Sequence, residues 1–149
     1  ELAAWCDIRV ASTTARFGCL ERRWGVPLID GGTVRLPRIV GLGRAMDLML
    51  TGREFDAVEA ERIGFVTRLT EPGQALATAI EVAEVIAASP WPAVVHDRLA
   101  TYESYGLSPH EALANEERHG REVIFDPGFA DGVARFAANQ ARRTESGDR

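Results

Sequence analysis

From Ser89 onward the chain shows no strand pattern; it runs as a succession of helices, each with its own start signal. "SPWP" interrupts one helical stretch and opens a second that reaches Gly106. Ser108, Pro109 and Glu111 supply a cap, a first-turn proline and a capping partner for a third. Asp126 and Pro127 start a fourth in the same way. Before that point, short apolar alternations mix with helices. The expected class is therefore α/β, with a mixed part over residues 1–88 and a helical part over 89–149. A length of 149 residues allows one domain with a real core and is too short for two comfortable ones.

In the mixed part, residues 1–6 read as a short helix. "DIRVAS" alternates as a strand burying Ile8 and Val10, and "ARFG" is a second strand ending near Glu21. Asp30 is expected to cap a helix through "TVRLPRIVG", with Pro37 tolerable only near its first turn. "GRAMDLMLTG" places Ala45, Met46, Met49 and Leu50 on one helical face and stops at Gly52. Asp56 and Glu59 form a capping box before "AVEAERIG", and "FVTRL" follows as a strand. A helix over 73–88 would turn Leu76, Ala79, Ile80, Ala83 and Ile86 inward.

Several function classes drop out. Hydrophobic residues make up 46% and charged residues 26%, which suits a globular chain and not a disordered one. A net charge of −5 argues against nucleic acid as a partner. No apolar run approaches the roughly 20 residues that span a bilayer, so no membrane role is expected. Cys6 and Cys19 are too few for a disulfide framework and lack metal-ligand spacing, which points to a reducing cytoplasm and no metal. "GLGRAM" lacks the third glycine of a dinucleotide fingerprint and reads as a turn between helices. His96, His110 and His119 lack ligand spacing and read as surface histidines. Arg22 and Arg23 read as a solvated edge. The chain opens in mid-element at "ELAAWCD", without an initiator methionine, so a piece of a longer protein is expected.

Two carboxylates remain. In "FGCLERRWGVPLIDGG", Glu21 sits among wall-like residues (Cys19, Leu20, Trp24, Val26, Leu28, Ile29) ahead of a glycine pair. Glu1 likewise adjoins an apolar segment, twenty residues earlier. If the first two strands fold back on each other, both carboxylates reach one cleft. There one could act as base while the other holds a proton. Two solvated charges are the plainer reading of the same residues.

"ELAAWCDIRVASTTARFGCLERRWG" resembles the enoyl-CoA hydratase/isomerase (crotonase) family. The family pattern is Glu-Leu-Ala after three glycines and one further residue, then Cys-Asp-hydrophobic, Phe-Gly-x-x-Glu and Gly-Gly-Thr-x-Arg-Leu. Here these are Glu1-Leu2-Ala3, Cys6-Asp7-Ile8, Phe17-Gly18, Glu21, and Gly31-Gly32-Thr33 with Arg35-Leu36. "LTGREFDAVEAERIGFV" is similar to a later family segment. The resemblance implies the last turn of a crotonase-type ββα spiral core, followed by a C-terminal helical oligomerisation segment, in a homotrimer or hexamer. It implies an acyl-CoA thioester substrate, with coenzyme A as part of that substrate and no other cofactor. It places the two catalytic glutamates on Glu1 and Glu21, which hold a water over the enoyl double bond. Trp24, Leu28 and Phe136 are the substrate-binding residues it suggests.

The match departs from the family at three places. The backbone N–H groups that stabilise the thioester enolate lie before Glu1, so residues 1–149 alone are expected to be inactive. "PLIDGG" stands where hydratases read Pro-Gly-Ala-Gly-Gly, which puts Ile29 at a water-holding glycine and Asp30 at the alanine. Asp30 is then either the helix cap, which we favour, or a further carboxylate. In the last helix Asn139 takes the place of a phosphate-reaching lysine, with Arg142 or Arg143 one turn on. Hydration of a 2-enoyl-CoA is the leading expectation. The alternatives are an enoyl-CoA isomerase and a silent fragment acting as an assembly element.

Overall fold

The computed structural model describes the backbone of residues 1–146 and side chains up to residue 138; Asn139, Arg142 and Arg143 fall outside the described side chains. Contacts divide the chain into two units, Glu1–Val82 and the residues from Ala83 on. The division falls inside a helix, not at 88/89.

The first unit contains α1 (Leu2–Trp5), β1 (Val10–Ser12), β2 (Arg16–Gly18), a 3-10 turn (Leu20–Trp24), α2 (Gly32–Val40), α3 (Leu42–Thr51), β3 (Glu54–Asp56), α4 (Ala57–Arg62) and β4 (Arg68–Thr70). The first two strands do not fold back on each other. β1 runs parallel to β4, with Ala11 opposite Leu69. β2 runs antiparallel to β3, with Phe17 opposite Phe55. Three residues are too few to fix an alternation phase from sequence, and the expected phase is wrong. Ala11 is the buried residue, Val10 is half-buried and Ile8, before the strand, is exposed. Thr67 fastens the start of this ladder, donating from its backbone N–H and its hydroxyl to the Arg9 carbonyl at 2.9 and 2.7 Å.

Leu36, Val40, Ala45, Leu48, Met49, Phe55, Ile63, Phe65 and Val66 form the core, with Phe17, Cys19 and Leu28 packed against it. Phe17 lies 5.5 Å from Phe55 and 5.4 Å from Phe65, the second contact edge-on. Burying each such ring is worth about 1.5–3 kcal/mol. On α3, Ala45, Leu48 and Met49 point inward while Leu50 is exposed and Met46 largely so. Gly41 joins α2 to α3 as the expected turn, and Gly52 ends α3 in the left-handed conformation. Pro37 sits well inside α2 and not in its first turn. The carbonyl its ring leaves without a donor, that of Thr33, belongs to an exposed residue, so water can take the bond.

The Asp56 carboxylate accepts from the Glu59 N–H and caps α4. The Glu59 carboxylate does not complete the box. It takes the Arg53 fork at 2.6 and 2.9 Å, and Arg53 also reaches Asp47. These hydrogen bonds hold Glu59 below the usual carboxylate range. Arg22 and Arg23 are not a bare solvated edge. Their Nε atoms donate to the Met49 and Gly52 carbonyls, which dock the 3-10 turn on the end of α3.

α5 (Ala75–Ala87) crosses the division. It buries Val82 and half-buries Ala79 and Ile86 of the expected face, while Leu76, Ile80 and Ala83 are exposed. Thr78, Glu81 and Glu84 mark one polar side, but the remaining apolar positions are too many for the sequence to say which of them is covered. The second unit continues with α6 (Trp91–Glu103), α7 (Pro109–Ile124) and α8 (Gly128–Ser146). Ser108 and Glu111 form the complete capping box, and the Asp126 carboxylate accepts from the Gly128 N–H. His119 is not a surface residue: it is buried between α6 and α7. Its Nδ1 meets Nδ1 of His96 at 3.0 Å and its Nε2 meets Glu103 at 2.9 Å. Among the described residues, no single helix is long and apolar enough to cross a membrane.

Candidate active site

The first unit contains a cleft of about 420 Å3. Ala4, Phe17, Cys19, Leu20, Leu36, Phe55 and Phe65 give it apolar walls; Glu1, Arg16 and Glu54 are its charged residues. Arg16 pairs with Glu54 at 3.7 Å.

Glu1 is half-buried at the start of α1 and is held by the loop that precedes α2. Its Oε1 accepts from the Asp30 N–H at 3.1 Å and from the Gly32 N–H at 2.7 Å. The glycine pair makes this approach possible. Gly31 has φ of +91°, the left-handed region that favours glycine. A Cβ on Gly32 would stand 2.8 Å from Glu1 Oε1. Asp30 is not the helix cap. That position belongs to Gly31, without a side-chain hydrogen bond, and Asp30 contributes its backbone instead. Its N–H holds Glu1, and its carbonyl accepts from the Trp5 indole at 2.6 Å.

Glu21 lies on the first turn of the 3-10 helix, directly after the cleft residues Cys19 and Leu20. Its Oε2 is buried and has no hydrogen-bond partner. Burial pushes the Cys19 thiol above its ordinary value, and the charge of Glu21 adds to this. The charge of Glu1 pushes the same way. Both carboxylates thus act on one cleft thiol. Glu1 lines the cleft, and Glu21 adjoins it through Cys19 and Leu20 without lining it; β1 does not pair with β2.

Trp24 and Leu28, the other expected site residues of this unit, are not among the residues lining the cleft. Trp24 is 82% exposed at the end of the 3-10 turn, and Leu28 packs against the core. Phe136 belongs to the second unit and lines an apolar groove there with Pro90, Val123, Phe129 and Val133. Sequence reasoning missed Trp5, Arg35 and the aromatic trio as parts of the site. Their only signal was position: Trp5 follows Glu1 by one helical turn, and Arg35 stands one turn after Gly31.

The family model described as enoyl-CoA hydratase/isomerase matches residues 1–138. A "Probable enoyl-CoA hydratase" of Rhizobium meliloti is 41% identical over 140 residues, covering 94% of this chain and 54% of that protein. A "Short-chain-enoyl-CoA hydratase" of Clostridium acetobutylicum is 40% identical over 136 residues, covering 91% and 52%. The crystal structure of an enoyl-CoA hydratase from Mycobacterium tuberculosis superposes with a TM-score of 0.89 at 36% identity, covering 93% of this chain and 55% of that one. The chain spans about half the length of the relatives it matches.

Proposed function

The chain belongs to the enoyl-CoA hydratase/isomerase family, and we propose that it forms the later part of an enzyme adding water to a 2-enoyl-CoA thioester. The observation that carries this is the carboxylate arrangement. Glu1 is anchored through one oxygen by two backbone donors, and Glu21 keeps a buried oxygen without a partner beside the same apolar cleft.

The two groups divide the work. Glu1, fixed through Oε1, presents Oε2 to a water molecule and takes its proton as the water oxygen bonds to the β-carbon. The electron pair of the double bond moves toward the thioester carbonyl. The α-carbon then receives a proton from Glu21, and a 3-hydroxyacyl thioester results. Apolar walls strengthen such contacts by excluding bulk water. An acid–base group of this kind is worth about 10² to 10⁴ in rate.

In the protein that carries this chain, Glu21→Gln should lower crotonyl-CoA hydration at least about 100-fold with the fold intact. Near-normal turnover would remove Glu21 from the mechanism. Loss of hydration with retained conversion of a 3-enoyl-CoA to its 2-enoyl isomer would favour the isomerase. We further propose that α6–α8 form the contacts of a homotrimer or hexamer. Phe129, Val133 and Phe136 support this, being 41%, 51% and 63% exposed along one groove.

A further inference from the structure

Trp5 is a large aromatic residue left 54% exposed, yet both its indole N–H and its ring have partners. Its indole N–H, which can only donate, gives its hydrogen bond to the Asp30 carbonyl at 2.6 Å. Its ring fills the space that a side chain on Gly31 would need: a Cβ there would stand 2.8 Å from Cζ2. The Arg35 guanidinium lies over the ring, 4.5 Å from its centroid. Arg35 also donates to the carbonyls of Ala4 and Trp5, at 2.6 and 3.4 Å, and so ties the end of α1 to α2.

These contacts close a circuit. α1 carries Glu1 at its start and Trp5 at its end, one turn apart. The Asp30 N–H holds Glu1 while the Asp30 carbonyl is held by Trp5. A peptide fixed at its oxygen cannot tilt freely at the neighbouring N–H groups. We infer that Trp5 is a positioning residue, which, supported by Arg35, aims the Asp30 and Gly32 N–H groups at the Glu1 carboxylate. This rests on the hydratase reading of Glu1, but the hydrogen-bond circuit can be tested without it.

The test is Trp5→Phe in the full protein, which removes the donor together with the indole edge (Cζ2, Nε1 and Cε2) that lies against Gly31. Amide exchange at Asp30 and Gly32 should accelerate about tenfold or more. Crotonyl-CoA hydration should show kcat lower by roughly 10- to 100-fold, the scale on which a misplacement of about 1 Å acts, with KM within about twofold. Unchanged exchange, or unchanged kcat in an active enzyme, overturns the inference. A wild-type protein without activity on any enoyl-CoA removes the catalytic role; amide exchange still decides the circuit. In the wild-type protein the Trp5 indole N–H should itself exchange slowly despite the exposed ring. Exchange at the rate of a free indole overturns the inference even if the variant does not fold.

Discussion

Replacing Gly32 by alanine separates catalysis from stability. Gly32 is the first residue of α2 and lies outside the left-handed region, so its backbone accepts alanine without strain. The new Cβ would stand 2.8 Å from Glu1 Oε1 and 3.0 Å from Glu1 Cγ. To regain an ordinary contact of 3.4 Å the carboxylate must retreat by about 0.6 Å. What must move is the far end of a flexible side chain, so the fold barely resists. The 2.7 Å bond from the Gly32 N–H is lengthened or lost in the process. Alanine also narrows the unfolded ensemble, worth about 0.4–1 kcal/mol. The expected result is a kcat for crotonyl-CoA hydration lower by roughly 10- to 100-fold, with a melting temperature equal to wild type or slightly higher. Gly31→Ala is the control with the opposite balance. There φ is +91° and the Cβ meets the Trp5 ring at 2.8 Å. The backbone penalty alone is about 1–2 kcal/mol, so its melting temperature should fall by about 2–8 °C. Full activity in Gly32→Ala would refute the placement of the Glu1 carboxylate against this amide.

Two further outcomes are expected. Glu59 and Glu103 both lie below the ordinary carboxylate range, the first mainly through Arg53 and the second mainly through His119. Each depressed value contributes stability that is present above the ordinary value near 4.5 and lost as pH falls through the lowered one. Melting temperatures of wild type and Glu59→Gln should therefore differ at neutral pH and converge below it; a constant gap down to pH about 3 refutes the pairing. Light scattering of the full protein at micromolar concentration should give a trimer or hexamer mass; a monomer would return α6–α8 to intramolecular packing.

Local signals made much of this fold legible. Ser108–Glu111 and Asp56 mark helix starts because capping depends on residues three apart, and Gly52 marks a helix end because few other residues accept its φ. What long-range pairing decides was not legible. The parallel partner of β1 lies nearly sixty residues later in the chain, and nothing in "DIRVAS" names it. His119 looked solvated because its partners His96 and Glu103 sit on another helix. Asp30 looked like a cap because aspartate usually is one. Here the glycine after it takes that position, and the Asp30 backbone serves Glu1 with its N–H and Trp5 with its carbonyl. Family resemblance singled out the two glutamates; the donors that hold Glu1 are backbone groups and have no sequence signature of their own.

The most direct measurement is the fate of solvent atoms during turnover of crotonyl-CoA by the full protein in isotopically labelled water. The carboxylate pair predicts a 3-hydroxyacyl product with one solvent oxygen on the β-carbon and one solvent hydrogen on the α-carbon. Both labels should be lost together in Glu1→Gln and Glu21→Gln. Solvent hydrogen entering without oxygen, or turnover that survives both substitutions, would contradict hydration by these two residues.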